Sequence, residues 1–231
     1  MADVTPTILL TRPLANAEGF AAHLRALGVV APIEISPIVE IEPTGEDVDF
    51  AGVTGVVFSS RNAVAAVAGR SLPAWCVGAA TARAAVANGW QAVAADGDAE
   101  ALYARVLADA PKGPLLHLRG EISRGDVATR LTEAGVPTRE AIVYRQLAQE
   151  LSAAANSLLS GKSPVIVPLF SPYAAEVFAR QGPFCAPIHI VAMSEAVGDS
   201  LGDFHHEQTV LACKKDANAM AKAVAGLLDA G

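Results

Sequence analysis

Short apolar runs alternate with longer segments of helical periodicity along most of this chain. The run Thr7–Leu10 precedes a helical pattern over residues 14–27, and the run Gly55–Phe58 precedes one over residues 61–68. The alternation continues with strand-like runs at 75–77, 91–94 and 115–118 and helical patterns at 79–88, 99–108 and 125–133. Strands that alternate with helices of this length form parallel sheets covered by helices. The sequence therefore predicts an α/β fold.

The chain also resembles itself. LTRP, which ends at Pro13, corresponds to HLRG, which ends at Gly120. VVFSSRNAVAAV corresponds to VPLFSPYAAEVF, with Ser59 and Ser171 related by 171 − 59 = 112 residues. A repeat at this spacing indicates a duplicated α/β unit. We expect two similar lobes, with a ligand cleft between them near the carboxyl ends of the parallel strands.

The repeat leaves two domain arrangements open. The extended segments 33–37 and 142–147 occupy equivalent positions in the two copies and are the candidate linkers. If both cross between lobes, residues 1–36 and 148–231 form the first lobe, and residues 37–147 form the second lobe together with the connector strands. If the copies are contiguous, the boundary lies near residue 113. Periodicity alone does not decide between them.

Composition excludes several classes of partner. The formal charge is −7 and no block of lysine or arginine occurs, so we expect no nucleic-acid partner. Cys76, Cys185 and Cys213 form no CxxC pair, and His205-His206 has no third ligand at zinc-site spacing, so neither a disulfide framework nor a metal site is expected. No basic leader and no run of about 18 apolar residues occurs. These features predict a cytoplasmic protein without a membrane partner, and none requires more than a monomer.

Seven motifs in order carry a resemblance to a known family. LLTRP, VVFSSRNAV, VGAATARAAVANGW, GDAEAL, LLHLRG, AIVYR and LFSPYAA are similar to segments of the uroporphyrinogen-III synthases. The resemblance implies two α/β lobes joined by a two-stranded connector, with both termini in one lobe. It also implies a lyase that cyclises hydroxymethylbilane, a linear tetrapyrrole with eight carboxylates, while inverting the last pyrrole ring and losing water. It implies no metal and no organic cofactor.

Tyr144 is the residue that we expect to act in the chemistry. It matches the tyrosine in the family's VY motif and lies on the proposed connector. In this reaction the pyrrole nitrogen itself expels the terminal hydroxyl, so the enzyme mainly holds the substrate in the reactive conformation. A phenol can donate a hydrogen bond to the departing hydroxyl. The alternative is a packing tyrosine at the end of a strand.

Ser59, Ser60, Arg61 and Asn62 lie where a buried strand gives way to a helix. Backbone amides and short hydroxyls at such a turn point toward an anion, which suits a carboxylate-rich substrate. Ordinary helix capping explains the same residues without a ligand.

Further candidates follow other strands. Thr81 lies at the next strand-to-helix turn, Ser171 is the repeat partner of Ser59, and Arg12 and Arg119 correspond across the repeat. The arginines are candidates for bidentate contacts to propionates, with a solvated surface charge as the alternative. Ser194 is a weaker candidate substrate contact, because the glutamate that follows it would repel a carboxylate.

Two rival functions can be compared with this interpretation. A two-lobed protein that binds a small anion without catalysis would use the same cleft and the same helix N-termini. A dinucleotide enzyme is disfavoured because the chain contains neither GxGxxG after a strand nor GxxxxGK[ST].

Overall fold

The structure, a computed structural model, describes residues 5–95, 97–123 and 125–229. Within these residues the chain divides into two compact units. Unit 1 comprises residues 5–40 and 147–229, and unit 2 comprises the described residues of Ile41–Gln146.

Strands and helices alternate through both units. In chain order the elements are β1 (Thr7–Leu10), α1 (Leu14–Ala26), β2 (Ile33–Ile35), β3 (Val39–Pro43), β4 (Gly55–Phe58), α2 (Arg61–Ala65), β5 (Pro73–Cys76), α3 (Ala79–Ala87), β6 (Gln91–Ala94), α4 (Ala99–Asp109), β7 (Leu115–Gly120), α5 (Val127–Glu133), β8 (Thr138–Ala148), α6 (Ala153–Leu159), β9 (Val165–Leu169), α7 (Pro172–Arg180), β10 (Ile188–Ala192), α8 (Glu195–Asp199), β11 (Gln208–Leu211) and α9 (Ala217–Asp229).

Unit 1 contains a parallel sheet with the described strand order β11-β10-β9-β1-β2. All five residues of the central strand β9 are buried, which is why this strand reads as a continuous apolar run in the sequence. Helices α1 and α9 bury Phe20, Leu24 and Met220 against the strand residues Ile8 and Leu10. Burial on both faces of the strands stabilises the sheet mainly through the hydrophobic effect.

Unit 2 contains a sheet with the described strand order β3-β8-β7-β4-β5-β6. The strands from β8 to β6 run parallel. Thr44 N donates to Val143 O at 3.0 Å and Gln149 N donates to Ile38 O at 2.9 Å, so the pairing partners of β3 and β8 run in opposite directions along the two strands. This pairing is therefore antiparallel.

The two sheets have the same strand order when the repeats are compared. Reading from β2, the sheet of unit 1 runs β2-β1-β9-β10-β11, and the sheet of unit 2 runs β8-β7-β4-β5-β6 before its antiparallel edge strand. LTRP begins at the last residue of β1 and HLRG forms the end of β7, and the two serine motifs begin inside β4 and β9 and continue into the helices that follow. The prediction of an α/β fold with two similar, mostly parallel sheets flanked by helices is confirmed.

The candidate linkers 33–37 and 142–147 lie close to the points where the chain passes between the units. Ile33–Ile35 forms β2 and pairs with β1 inside unit 1, whereas the division between the units falls within β3 and again within β8. A short sheet-edge strand and a connector strand are both extended, which explains why the pattern did not separate them.

The two faces of the sheet in unit 2 carry different apolar clusters. One face packs Val56, Phe58 and Leu118 against α2 and α3. The other face packs Val57 and Leu115 against α4 and α5. Since successive side chains of a strand point to opposite faces, adjacent residues of β4 belong to different clusters.

Helix α2 ends three residues before the end of its predicted range. The amide of Asn88, at the end of α3, donates to Val64 O and Val67 O, both at 2.9 Å. These bonds satisfy carbonyls at the end of α2 and fix the loop that follows. Gly69 lies in this loop, where a Cβ atom would overlap the backbone carbonyl of Asn88.

We expect Gly69→Ala to lower the free energy of unfolding by about 3 kcal/mol, because neither backbone segment can move without breaking the Asn88 bonds. Gly226→Ala is the matched control, since Gly226 lies in α9 with open space around its Cα and should gain about 0.5–1 kcal/mol from helix propensity. Urea unfolding measures both variants. A Gly69→Ala variant within about 0.5 kcal/mol of wild type would contradict the predicted overlap.

Candidate functional site

The carboxyl ends of parallel strands meet at one edge of each sheet, and most of the candidate residues lie at these edges. In unit 2, Ser59 and Ser60 follow β4, Thr81 lies in the first turn of α3 after β5, and Arg119 and Tyr144 lie in β7 and β8. The sheet brings these residues to one edge, but their side chains do not all lie on the same face of it.

Ser59 is hydrogen-bonded to a buried histidine. The register of β4 and β7 pairs Val57 with His117, and Ser59 is two residues beyond Val57, so both side chains lie on the same face. Ser59 Oγ is 3.1 Å from His117 Nε2. His117 is only 1% exposed, so Ser59 connects a buried ring to the edge of the sheet.

The same register continues to a carboxylate and an arginine. β7 and β8 pair His117 with Glu140, and Glu140 Oε1 lies 3.4 Å from His117 Nδ1. Arg119 Nη2 donates to Glu140 Oε2 at 2.8 Å, and Arg119 Nη1 donates to the carbonyls of Gly120 and Glu121. We call Ser59, His117, Glu140 and Arg119 the His117 network.

Burial and charge set the protonation of the His117 network. Burial lowers the pKa of His117 to about 4, against a smaller opposing effect of Glu140. Partial burial raises the pKa of Glu140, but the hydrogen bond and charge of Arg119 outweigh it, so the pKa is lowered overall. At neutral pH, therefore, a neutral imidazole lies between a hydroxyl and an ionised carboxylate.

Tyr144 lies on the opposite face of the sheet. It belongs to the apolar cluster of Phe58, Leu118 and Val143 and is 5% exposed. Its ring lies against Gly120, where a Cβ atom would be 2.5 Å from Tyr144 Cζ. Only glycine permits this close approach. No described residue forms a hydrogen bond with the Tyr144 hydroxyl, so no described residue accepts the phenol proton.

The remaining candidates of unit 2 surround the start of α2 and α3. Ser60 caps α2 by accepting a hydrogen bond from Asn62 N at 3.1 Å. Arg61 is exposed, Asn62 is partly buried, and Thr81 is buried. Capping thus accounts for Ser60, whereas Arg61 presents a cation at the surface of the same turn.

Unit 1 has its own polar edge. The Arg12 guanidinium lies over the Phe170 ring, 3.7 Å from its centroid, in the geometry of a cation–π contact. Ser171 caps α7 by accepting from Ala174 N at 3.2 Å. Ser194 precedes α8 at its N-cap position without a side-chain capping bond.

The repeat-related serines have different partners. Ser171 is itself the N-cap of α7, whereas the N-cap of α2 is Ser60. Two residues separate each strand from its helix, Ser59-Ser60 after β4 and Phe170-Ser171 after β9, and in both units the second of them is the N-cap. Ser59 is therefore not the cap of α2 and bonds to His117 instead. The two serines are equivalent in sequence but not in structure.

The sequence motifs did not single out His117 or Glu140 as candidate site residues. One signal was present: LLHLRG places a histidine inside a buried strand, at the position that Leu10 occupies in the other repeat (117 − 10 = 107, as 119 − 12 = 107). Glu140 carried no such signal, because only the strand register brings it to His117.

No three His, Cys, Asp or Glu side chains in the described ranges are grouped so that they could hold a metal ion. His206 bonds to Phe204 O at 2.8 Å and to Thr209 Oγ1 at 2.7 Å, so both of its ring nitrogens have partners.

None of the helices in residues 5–95, 97–123 and 125–229 has the length and apolar composition needed to span a bilayer.

The lowered pKa of His117 predicts a dependence of stability on pH. Between about pH 6.5 and about pH 4 the unfolded chain binds a proton that folded His117 does not, so the free energy of unfolding falls as the pH falls, by about 3 kcal/mol. His117→Leu, which copies Leu10 of the other repeat, should lose this contribution. Urea unfolding of both proteins at the two pH values isolates it, and equal losses would contradict the assignment.

Comparison with known proteins identifies the family and the fold separately. A family model described as uroporphyrinogen-III synthase HemD matches residues 18–222. Among curated proteins, none matches the chain significantly. The uroporphyrinogen-III synthetase of Helicobacter pylori 26695 is similar in structure, with a TM-score of 0.71 and 16% identity over 96% of this chain and 99% of that chain.

A mutant uroporphyrinogen III synthase from the extremely thermophilic bacterium Thermus thermophilus is also similar, with a TM-score of 0.55 and 13% identity over 98% of this chain and all of that chain (100%). At these identities the solved structures establish a shared fold. The family model covers most of the chain, and on that basis the chain belongs to the uroporphyrinogen-III synthase family.

Proposed function

We propose that this chain is a hydro-lyase that works without a cofactor and converts hydroxymethylbilane to uroporphyrinogen III. The observation that carries the proposal is the match of the family model to residues 18–222. The sequence, whose three cysteines form no disulfide pattern, supports a cytoplasmic location, and no feature of it requires a second copy. We therefore propose a cytoplasmic monomer.

The substrate supplies most of the reactivity in this mechanism. The pyrrole nitrogen pushes electrons toward the terminal carbon, the C–O bond breaks, and the hydroxyl leaves as water after taking a proton. The substituted α-carbon of the last ring attacks the resulting azafulvene cation and forms a spiro intermediate. One C–C bond then breaks and re-forms at the free α-carbon, which inverts the ring, and loss of a proton restores the pyrrole. The enzyme selects this route by holding the ends of the substrate together.

Tyr144 is the proposed donor to the departing hydroxyl. Its phenol has no hydrogen-bond partner among the described residues, and its ring is held against Gly120. A fixed phenol can donate a hydrogen bond without being reoriented during the reaction. Its position in an apolar cluster strengthens such a bond, because few waters compete for it.

The proposed substrate contacts fall into two chemical groups. Arg12 and Arg61 are cations suited to the carboxylates, and both follow the carboxyl end of a strand. The other proposed contacts supply hydroxyl, amide and backbone groups at strand-to-helix turns, and they are Ser59, Ser60, Asn62, Thr81, Ser171 and Ser194. Arg119 is bonded to Glu140 and to two carbonyls, so we propose that it acts through Glu140.

Freshly prepared hydroxymethylbilane tests the proposed function. Spontaneous closure gives the type I ring, so we expect the protein to produce the type III isomer after oxidation and chromatographic separation of the porphyrins. Formation of the type I ring alone, with an active control synthase in parallel, would reject the proposal. Tight binding of the substrate without conversion would instead support a non-catalytic binding protein.

We expect Tyr144→Phe to lower kcat more than it changes KM. The substitution deletes one hydrogen bond and keeps the ring, so the loss should be about 1–3 kcal/mol, or roughly 5- to 150-fold in rate. Steady-state kinetics with hydroxymethylbilane measures both constants. Tyr103→Phe is the matched control, since that ring packs under Arg130 on α4 and should leave both constants unchanged. Unaltered kcat in Tyr144→Phe would remove Tyr144 from the mechanism.

A further inference from the structure

We infer that His117 is a positioning residue that turns the Ser59 hydroxyl into a hydrogen-bond acceptor for a pyrrole N–H of the substrate. This inference rests on the proposed function. It makes the Ser59 hydroxyl a hydrogen-bond acceptor toward the substrate, whereas the sequence alone suggests a donor to a carboxylate. It also gives the buried His117 network a role in the reaction.

The charge of Glu140 favours the proton on one of the two ring nitrogens of His117. Glu140 Oε1 faces His117 Nδ1 at 3.4 Å, and the same carboxylate accepts from Arg119 at 2.8 Å. Nδ1 has no hydrogen-bond partner among the described residues, but a nearby negative charge that can only accept favours hydrogen on the nitrogen that faces it. In a neutral imidazole the other nitrogen, Nε2, is then bare. Ser59, 3.1 Å away, must donate its hydroxyl proton to Nε2.

The charged groups around His117 support the neutral ring. Glu140 and Arg119 are the charged neighbours that affect its titration, and they act in opposite directions. Burial is the larger effect and disfavours the protonated ring, so Nε2 stays free to accept throughout the neutral range. The hydrogen bond from Ser59 to His117 therefore persists at neutral pH.

An acceptor-only Ser59 selects among the polar groups of the substrate. Carboxylates only accept hydrogen bonds at neutral pH, so they gain nothing from an oxygen whose proton is already committed. A pyrrole N–H only donates and matches it. When the terminal hydroxyl leaves, that N–H becomes part of a cation, and an acceptor placed beforehand stabilises the developing charge. This interaction strengthens in the transition state, so its loss should lower kcat.

The unit 1 counterpart shows that this arrangement is not a general feature of the fold. Phe170 occupies the position of Ser59 between the strand and its helix, and Leu10 stands where unit 2 has His117. Ser171 instead accepts a capping bond from Ala174 N. Its hydroxyl proton remains available to donate. The two serines are thus suited to opposite substrate groups.

The test compares single and double variants in steady-state kinetics with hydroxymethylbilane. Ser59→Ala and His117→Gln should each lower kcat about tenfold with KM within about twofold, and the double variant should lose no more than Ser59→Ala alone, because His117 acts through Ser59. Ser59→Thr, which keeps the hydroxyl, should restore most of kcat. Glu100→Gln, which breaks the exposed pair with Arg130, is the control for loss of an ion pair outside the His117 network and should leave kcat unchanged.

A second measurement needs no activity and no variant. Nitrogen-15 NMR of the wild-type imidazoles, with His117 assigned through its backbone, should show hydrogen on Nδ1 and a bare Nε2 at neutral pH. Hydrogen on Nε2 would overturn the inference, as would additive losses in the double variant or unchanged kcat in Ser59→Ala. If wild type forms only the type I ring, the proposed function fails instead, and the NMR result then decides the direction of the Ser59 hydroxyl by itself.

Discussion

Parallel pairing of buried strands is the constraint on which the rest of this structure depends. Parallel neighbours require helical crossovers, and these cover both faces of each sheet with apolar side chains. The same pairing brings the carboxyl ends of β4, β7 and β8 to one edge and aligns Val57, His117 and Glu140 across three strands. A slip of one residue between β7 and β8 would move Glu140 to the other face and leave His117 without its carboxylate. The register that builds the core therefore also builds the His117 network.

Local sequence pattern predicted the bounds of several strands and did not mark where the chain passes between the units. Three strands have the predicted bounds, at Thr7–Leu10, Gly55–Phe58 and Gln91–Ala94, because a short apolar run before a helical pattern is a local signal. The crossing within β3 has no such signal, since its sequence VEIEP resembles any half-exposed extended segment. Helix α2 ends early because Asn88, more than twenty residues away in sequence, binds its last carbonyls (88 − 64 = 24). Both differences arise from tertiary contacts that local pattern does not contain.

The candidate site also contains residues that the local sequence pattern predicts and residues that only the tertiary structure reveals. Ser59, Ser60 and Asn62 could be found because a strand that turns into a helix places small polar residues at a predictable point. Which of them caps the helix depends on position in the two-residue link between strand and helix, where the second residue, Ser60, bonds to Asn62 and the first, Ser59, bonds to His117. Glu140 could not be found from sequence, since it is one of many carboxylates on a partly exposed strand. A comparison of the two repeats, with Leu10 opposite His117, was the one sequence observation that isolated a buried polar residue.

Electrostatics explains why a protein of net charge −7 can serve a substrate with eight carboxylates. At physiological ionic strength, charges more than about 8 Å apart are largely screened, so the local groups decide binding. Cations such as Arg12 and Arg61 suit the propionate and acetate arms, whereas a cation beside the reacting pyrrole would oppose the positive charge that forms there. The His117 network places a neutral acceptor at Ser59 and commits Arg119 to Glu140 and backbone carbonyls. In the proposed binding mode, the pairing of Arg119 with Glu140 keeps that positive charge away from the pyrrole nitrogen, a distribution that net charge and composition do not reveal.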